Sequence, residues 1–178
     1  ESWIDRKTLE FSYPDILYSW KENDRIQPWV RERASLNVKQ SSNKLQRHPY
    51  EPCYLFEAGI APLAKYPVKG VIWYQGESNA HNIEVHEILF PLLVESWRKN
   101  WNKELPFYYV QLSSLNRPSW TWFRDSQRRM LKDIRCVGMA VSSDCGDSTN
   151  VHPTRKKEVG DRLARLALHD TYGKTLTP

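Results

Sequence analysis

Gly70-Val71-Ile72-Trp73-Tyr74-Gln75-Gly76-Glu77-Ser78-Asn79-Ala80 is the stretch that decides the fold. Five largely apolar residues run without a break into a cluster of Gln, Gly, Glu, Ser and Asn. A short apolar run bounded in this way predicts a buried strand, Gly70 to Gln75. The polar cluster then falls at the strand's carboxyl end, where open α/β sheets bind their ligands. Downstream, Val137 to Ser143 predicts another strand, and it leads into Asp144-Cys145-Gly146-Asp147-Ser148-Thr149-Asn150-Val151-His152-Pro153. Two strand ends rich in hydrogen-bonding and proton-transferring groups point to hydrolytic chemistry.

Working outward, Leu105 to Leu112 is the third strand candidate. Val85, Ile88, Leu89, Leu92, Leu93 and Trp97 form an apolar helical stripe, with Pro91 as its kink or its start. Pro118 to Phe123 reads as an aromatic loop and Arg124 to Ile134 as a helix. A final helix is expected from Thr154 to Tyr172, with Gly173 as its C-cap. Strands alternating with helices predict an α/β fold with a parallel sheet. Only three strands are visible, so the opening strands of the fold are expected to lie outside these residues.

Residues 1–50 are expected to form a polar opening segment, irregular with some helix. Helices are predicted from Pro14 to Trp20 and from Ile26 to Leu36, and a loop from Lys39 to Pro49. Tyr54 to Lys65 reads as a buried helix interrupted near Gly59 and Pro62. A length of 178 residues suits one domain, residues 1–178.

Composition removes several classes of function. A hydrophobic content of 40% argues against global disorder. No stretch approaches the roughly 18 apolar residues of a membrane helix, so no membrane partner is expected. The net charge of +5 is spread along the chain rather than gathered on one element, so no nucleic-acid partner is expected. Cys53, Cys136 and Cys145 match no zinc spacing and read as buried thiols, with one disulfide as the alternative. His48, His81, His86 and His169 have no metal-ligand spacing, so neither metal nor cofactor is expected.

The candidate catalytic groups follow from chemistry. His152 can take a proton from a hydroxyl nucleophile near neutral pH and return it to a leaving group. Its plain alternative is a loop histidine bonded to backbone. Asp144 and Asp147 could orient that ring, or could be turn residues around Gly146. Gln75 and Asn79 supply neutral amide donors for an oxyanion, and Glu77 could bind sugar hydroxyls, brace His152 or satisfy nearby amides. Ser78 approximates a nucleophile elbow, with Ala80 in place of the last Gly; otherwise it caps the next helix. Trp120 and Trp122 could form a sugar-stacking rim or simply pack.

Lys69 to Ala80 closely resembles the central motif of the sialate O-acetylesterases. Ile60-Ala61-Pro62-Leu63, Asp144-Cys145-Gly146-Asp147, Val151-His152-Pro153, Lys157, Val159-Gly160 and Arg162-Leu163-Ala164 extend the resemblance over roughly residues 51–170. It implies a three-layer, flavodoxin-like fold of the Ser-Gly-Asn-His hydrolases, incomplete here because its opening strands are missing. It implies removal of O-acetyl groups from sialic acids through an acyl-enzyme, in a periplasmic or secreted setting. The family's Gly-Gln-Ser-Asn and Gly-Gly-Thr motifs are absent, so the nucleophile is expected in a missing N-terminal part of the same domain. His152 matches the catalytic histidine and Gln75-Gly76-Glu77 the block that assists the oxyanion hole. Thr149 stands where the superfamily places its Asp; Asp144, Asp147, Glu77 or a Ser-His dyad remain as alternatives. Ser78 as nucleophile, or a non-catalytic carbohydrate-binding module, are the competing functions.

Overall fold

The computed structural model describes residues 1–43 and 45–177. Part of the loop expected over Lys39–Pro49, at Lys44, lies outside the described residues. The chain divides into two compact units: Glu1–Pro67 with Ile88–Lys103, and Val68–Glu87 with Glu104–Pro178.

In the first unit the opening 50 residues are largely helical. Helix α1 (Arg6–Ser12) was not expected. It starts where Asp5 accepts hydrogen bonds from the Thr8 amide at 3.0 Å and the Thr8 hydroxyl at 2.6 Å. That cap satisfies an otherwise orphaned donor of the first turn. Helices α2 (Pro14–Tyr18) and α3 (Pro28–Lys39) both have proline in the first turn, where its missing N–H costs nothing. Leu9, Tyr13, Ile16, Leu17 and Trp20 are buried, matching their three- and four-residue spacing. The segment expected as a buried helix is instead a π turn, Phe56–Ile60, and a 3-10 turn, Ala61–Leu63. Pro62 cannot donate to the helical ladder and its ring crowds the preceding turn, which breaks the regular helix; within the segment only Phe56 is buried.

Helix α4 (Ile83–Trp101) begins in the second unit and continues in the first, with Pro91 inside it. Its buried positions are His86, Leu89, Phe90, Leu93, Val94, Ser96 and Trp97. The expected stripe is therefore turned by about one residue, and Ile88 is exposed. In the first unit the Trp97 indole donates to the Trp3 carbonyl at 2.9 Å, and the Asp5 amide donates to Ser96 Oγ at 2.9 Å.

The second unit holds a parallel sheet of three strands in the order β1-β2-β3: β1 (Val71–Trp73), β2 (Phe107–Val110) and β3 (Val137–Ala140). Val71 pairs with Phe107, and Phe107 with Val137. The fold is α/β with a small parallel sheet. β2 is central and buried at all four positions. β1 differs from the expectation of a buried strand: it pairs on one side only, and Ile72 is 62% exposed. An apolar run cannot tell an edge strand from a central one, since its own sequence does not say how many neighbours it has.

Helices cover both faces. Tyr108 and Val110 join Ala140, Cys145, Val159 and Leu163 in one cluster, which puts helix α6 (Lys156–Leu166) on that face. Tyr109 points the other way, its hydroxyl donating at 2.7 Å to the Gln127 carbonyl of helix α5 (Pro118–Asp133). Alternation along a strand produces this division. Gly138 is required by the packing: a Cβ there would stand 2.9 Å from the Tyr108 ring.

Helix α5 corrects a second expectation. Pro118 starts it, so Trp120–Phe123 are its first turns rather than a loop. α6 is followed by a π turn, Ala167–Thr171, and Gly173 at φ 62° ends the helical segment as expected. Cys53 and Cys145 are buried, whereas Cys136 is exposed; all three are free thiols.

Candidate active site

All three strands run the same way, so the segments after β1, β2 and β3 emerge at one edge of the sheet. Beyond β2 the ladder ends and side chains take over its hydrogen bonds. Gln127, buried on α5, accepts from the Leu112 amide at 2.9 Å and donates to the Val110 carbonyl at 3.2 Å. Ser142, just past β3, donates to the Gln111 carbonyl at 2.6 Å. These bonds set the 111–115 segment against which the catalytic candidates rest.

The segment 143–150 is held to it by backbone contact. Asn116 donates its amide to the Ser148 carbonyl at 2.9 Å, and Ser114 Oγ donates to the Ser143 carbonyl at 2.5 Å. Gly146 is obligatory here: a Cβ would press on the Ser114 amide nitrogen and stand 2.6 Å from its carbonyl oxygen.

The two loops that carry His152 and Gln75 share one support. Ala80, Leu112, Trp120 and Phe123 form a buried cluster, and Tyr74 and Val151 both pack against it. Tyr74 immediately precedes Gln75, and Val151 immediately precedes His152. A second tie crosses the same gap: Lys156 Nζ lies 4.5 Å from the centre of the Tyr74 ring, a cation–π contact.

His152 is exposed, and its amide donates to Asn150 Oδ1 at 2.9 Å. Among the described residues no side chain hydrogen-bonds its imidazole. The acidic candidates are engaged elsewhere. Asp144 is gripped by Arg162 in a two-pronged pair, Nη1–Oδ1 2.6 Å and Nη2–Oδ2 2.7 Å. That guanidinium holds its carboxyl well below the usual carboxylate range. Asp147 Oδ1 accepts from the Thr149 amide at 2.7 Å, the Thr149 hydroxyl at 2.7 Å and the Asn150 amide at 3.0 Å. It closes a turn, and those donors, Thr149 first, lower its pKa. Glu77 Oε2 accepts from the Gly76 amide at 3.1 Å. None of the three hydrogen-bonds His152: Asp147 is a turn residue, Glu77 satisfies a nearby amide, and Asp144 is paired with Arg162.

The amide cluster is ordered by its own bonds. Asn79 Nδ2 donates to Gln75 Oε1 at 3.2 Å and to His86 Nδ1 at 3.3 Å. Gly76 has φ 148°, a conformation for which glycine is suited, and a Cβ there would sit 3.0 Å from the Phe123 ring. Ser78 is exposed with φ −76° and ψ −24°, an ordinary helical conformation rather than the strained turn of a nucleophile elbow. Its side chain makes no capping bond either.

Trp120 is not a sugar platform. It is 2% exposed and its indole donates at 2.6 Å to the buried Ser113 carbonyl, so it belongs to the core. Trp122, two positions on around α5, is 72% exposed. Three participants escaped the sequence analysis. His86 lies on the buried stripe of α4, Arg162 is a half-buried residue of α6 that reaches the Val141 carbonyl and Asp144, and Tyr74 lies inside the apolar run. None of the three carried a signal in the sequence that set it apart from a packing or surface residue. Among the described residues no group of three His, Cys, Asp or Glu side chains is arranged to hold a metal, and no helix is long and apolar enough to cross a membrane.

Polar side chains gathered at the carboxyl ends of parallel strands mark the ligand site of an α/β enzyme. A model of the carbohydrate esterase family of sialic acid-specific acetylesterases matches residues 26–169. The sialate O-acetylesterase of Mus musculus is 35% identical over 99% of this chain, and that of Homo sapiens 33% identical over 72%. A solved carbohydrate acetylesterase from Xanthomonas citri superposes with a TM-score of 0.67 at 38% identity, covering 72% of this chain. The chain belongs to the family of sialic acid-specific acetylesterases. It spans 38% of the mouse protein, 29% of the human one and 32% of the solved chain.

Proposed function

We propose that this chain supplies the histidine-bearing part of a sialate O-acetylesterase site, whose nucleophilic serine comes from a segment outside these residues. One observation carries the reading: the segments bearing Gln75 and His152 leave the same sheet edge and pack on one apolar cluster through Tyr74 and Val151. The finer fold we propose is the three-layer, flavodoxin-like arrangement of Ser-Gly-Asn-His hydrolases. Helices on both faces of the sheet support it. The one-sided pairing of β1, with Ile72 exposed, supports further strands beside it.

His152 takes the proton as the serine hydroxyl attacks the acetyl carbonyl carbon of an O-acetylated sialic acid. The new C–O bond leaves a tetrahedral oxyanion, and the Gln75 amide donates to it. Collapse breaks the bond to the sugar oxygen, which leaves with the proton from His152. Water, deprotonated by the same imidazole, then attacks the acetyl-serine; acetate departs and the serine regains its proton. Because Asp144 and Asp147 are committed to Arg162 and to a turn, a Ser-His dyad suffices in this scheme. The solvent-facing position of His152 suits a group that must reach both a hydroxyl and water.

The test is acetate release from an O-acetylated sialic acid by the longest natural polypeptide that contains this chain. His152→Ala is expected to lower kcat by about 10²–10⁴-fold, the range of general acid–base catalysis. Unchanged turnover in that variant overturns the assignment. The 178-residue chain alone is expected to release no acetate; turnover by it, abolished in Ser78→Ala, would move the nucleophile to Ser78.

A further inference from the structure

We infer that His86 is a positioning residue for this site: through Asn79 it fixes which end of the Gln75 amide faces the reacting carbonyl. The inference rests on the esterase reading for its consequence, but its geometry is independent of it. Asn79 Nδ2 can only donate, so the His86 Nδ1 that it meets at 3.3 Å is an acceptor, and the ring proton sits on Nε2. The second hydrogen of the same Nδ2 goes to Gln75 Oε1 at 3.2 Å. With its oxygen taken, Gln75 can turn only its Nε2 donors outward. Among the described residues those donors have no partner within the protein. An oxyanion needs donors, whereas an amide turned over by half a revolution would present its oxygen and repel it.

The relay is built rather than incidental. His86 is buried, one turn into α4, which begins where Asn82 Oδ1 accepts from the Val85 amide at 3.2 Å. The Phe123 ring sits 4.6 Å from the imidazole at 45°, and the same ring lies where a Cβ on Gly76 would be. Phe123 thus wedges between the turn that bears Gln75 and the ring that orients it. Burial also pushes the His86 pKa down to about 3, so the imidazole is neutral and Nδ1 an acceptor through the neutral and mildly acidic range. A protonated ring would put a donor against a donor and force Asn79, then Gln75, to turn over.

Isosteres make the idea testable. Asn places its oxygen where Nδ1 of His lies, Gln places its polar atoms one bond further out, and Leu offers none. In the longest natural polypeptide, His86→Leu and His86→Gln are expected to lower kcat by about 10²-fold with little change in KM, the scale of a misaimed group. His86→Asn is expected to stay within about threefold of the parent. Selective 15N labelling of Asn and Gln side chains gives a readout free of catalysis. The Asn79 amide protons should exchange slowly in the parent and in His86→Asn, and quickly in His86→Leu. Unchanged kcat in His86→Leu, or equal loss in His86→Leu and His86→Asn with slow Asn79 exchange in both, overturns the inference. A parent polypeptide that releases no acetate defeats the esterase reading, and the exchange measurement then decides the relay by itself.

Discussion

Trp120 offers the sharpest check on how the site is supported, because sequence made it a candidate sugar platform and the structure makes it core. Its ring is 2% exposed, sits with Ala80, Leu112 and Phe123, and donates to the Ser113 carbonyl at 2.6 Å. A buried Trp takes about 200 Å² out of water, which at about 25 cal/mol per Å² is about 5 kcal/mol as an upper bound. Truncation to Ala keeps Cβ but orphans a buried carbonyl, at about 1 kcal/mol. With the area term reduced to about 3 kcal/mol for the retained Cβ and the compact unfolded chain, and the orphaned carbonyl added, Trp120→Ala is expected to cost about 4 kcal/mol, inside the usual range for such truncations. For a chain of this size that lowers Tm by about 10 °C. Trp120→Phe, which keeps a ring and loses the hydrogen bond, should cost about 2 kcal/mol. Trp122→Ala, on the exposed side of the same helix, should stay within about 0.5 kcal/mol. Urea unfolding followed by near-ultraviolet circular dichroism measures all three. A Trp120→Ala cost below about 1 kcal/mol, or a Trp122→Ala cost that equals it, would refute the burial argument.

Gly146→Ala should destabilise the second unit by about 1–3 kcal/mol, since the added Cβ meets the Ser114 backbone, which cannot turn aside; urea midpoints that match the parent would contradict this. A carbon-detected NMR titration should place the Asp144 midpoint well below its ordinary 3.8, and Arg162→Gln should bring it back up. Because that folded pKa is depressed, its stabilisation is present above about pH 4 and is lost as pH falls through the folded midpoint. An Asp144 midpoint that ignores Arg162→Gln would show that the pair does not form in solution. His86 carries the opposite chemistry with the same direction of pH effect. Its folded pKa is about 3 against about 6.5 unfolded, so only the unfolded chain takes up a proton between them. Stability should fall by about 1 kcal/mol per pH unit from about pH 6.5 toward pH 3, and His86→Asn should flatten that slope in urea midpoints.

Local order along the chain determined a good deal. Apolar runs at Val71–Trp73, Phe107–Val110 and Val137–Ala140 alternate with helical stretches, and such alternation has few solutions other than a parallel sheet. Prolines at 14, 28 and 118 stand in the first turns of helices, and Gly173 ends one, because fixed φ and missing Cβ act within a few residues. The motifs at Lys69–Ala80 and Val151–Pro153 were sufficient to name the family that the comparisons confirm. What tertiary structure alone decided are quantities that depend on neighbours distant in sequence. Whether β1 is central or at an edge is settled by the number of its partners, not by its residues. Trp120 and Trp122 are alike in type and two positions apart, and only the direction in which α5 faces the sheet makes one core and the other surface. Asp144 was a plausible partner for a histidine eight residues away until α6 brought Arg162 against it, and a two-pronged guanidinium outcompetes a ring that never reaches it. His86 shows the same limit from the other side: a histidine on an apolar helical face says nothing by itself, and it acquires a role only because folding carries Asn79 and Gln75 to its Nδ1 edge.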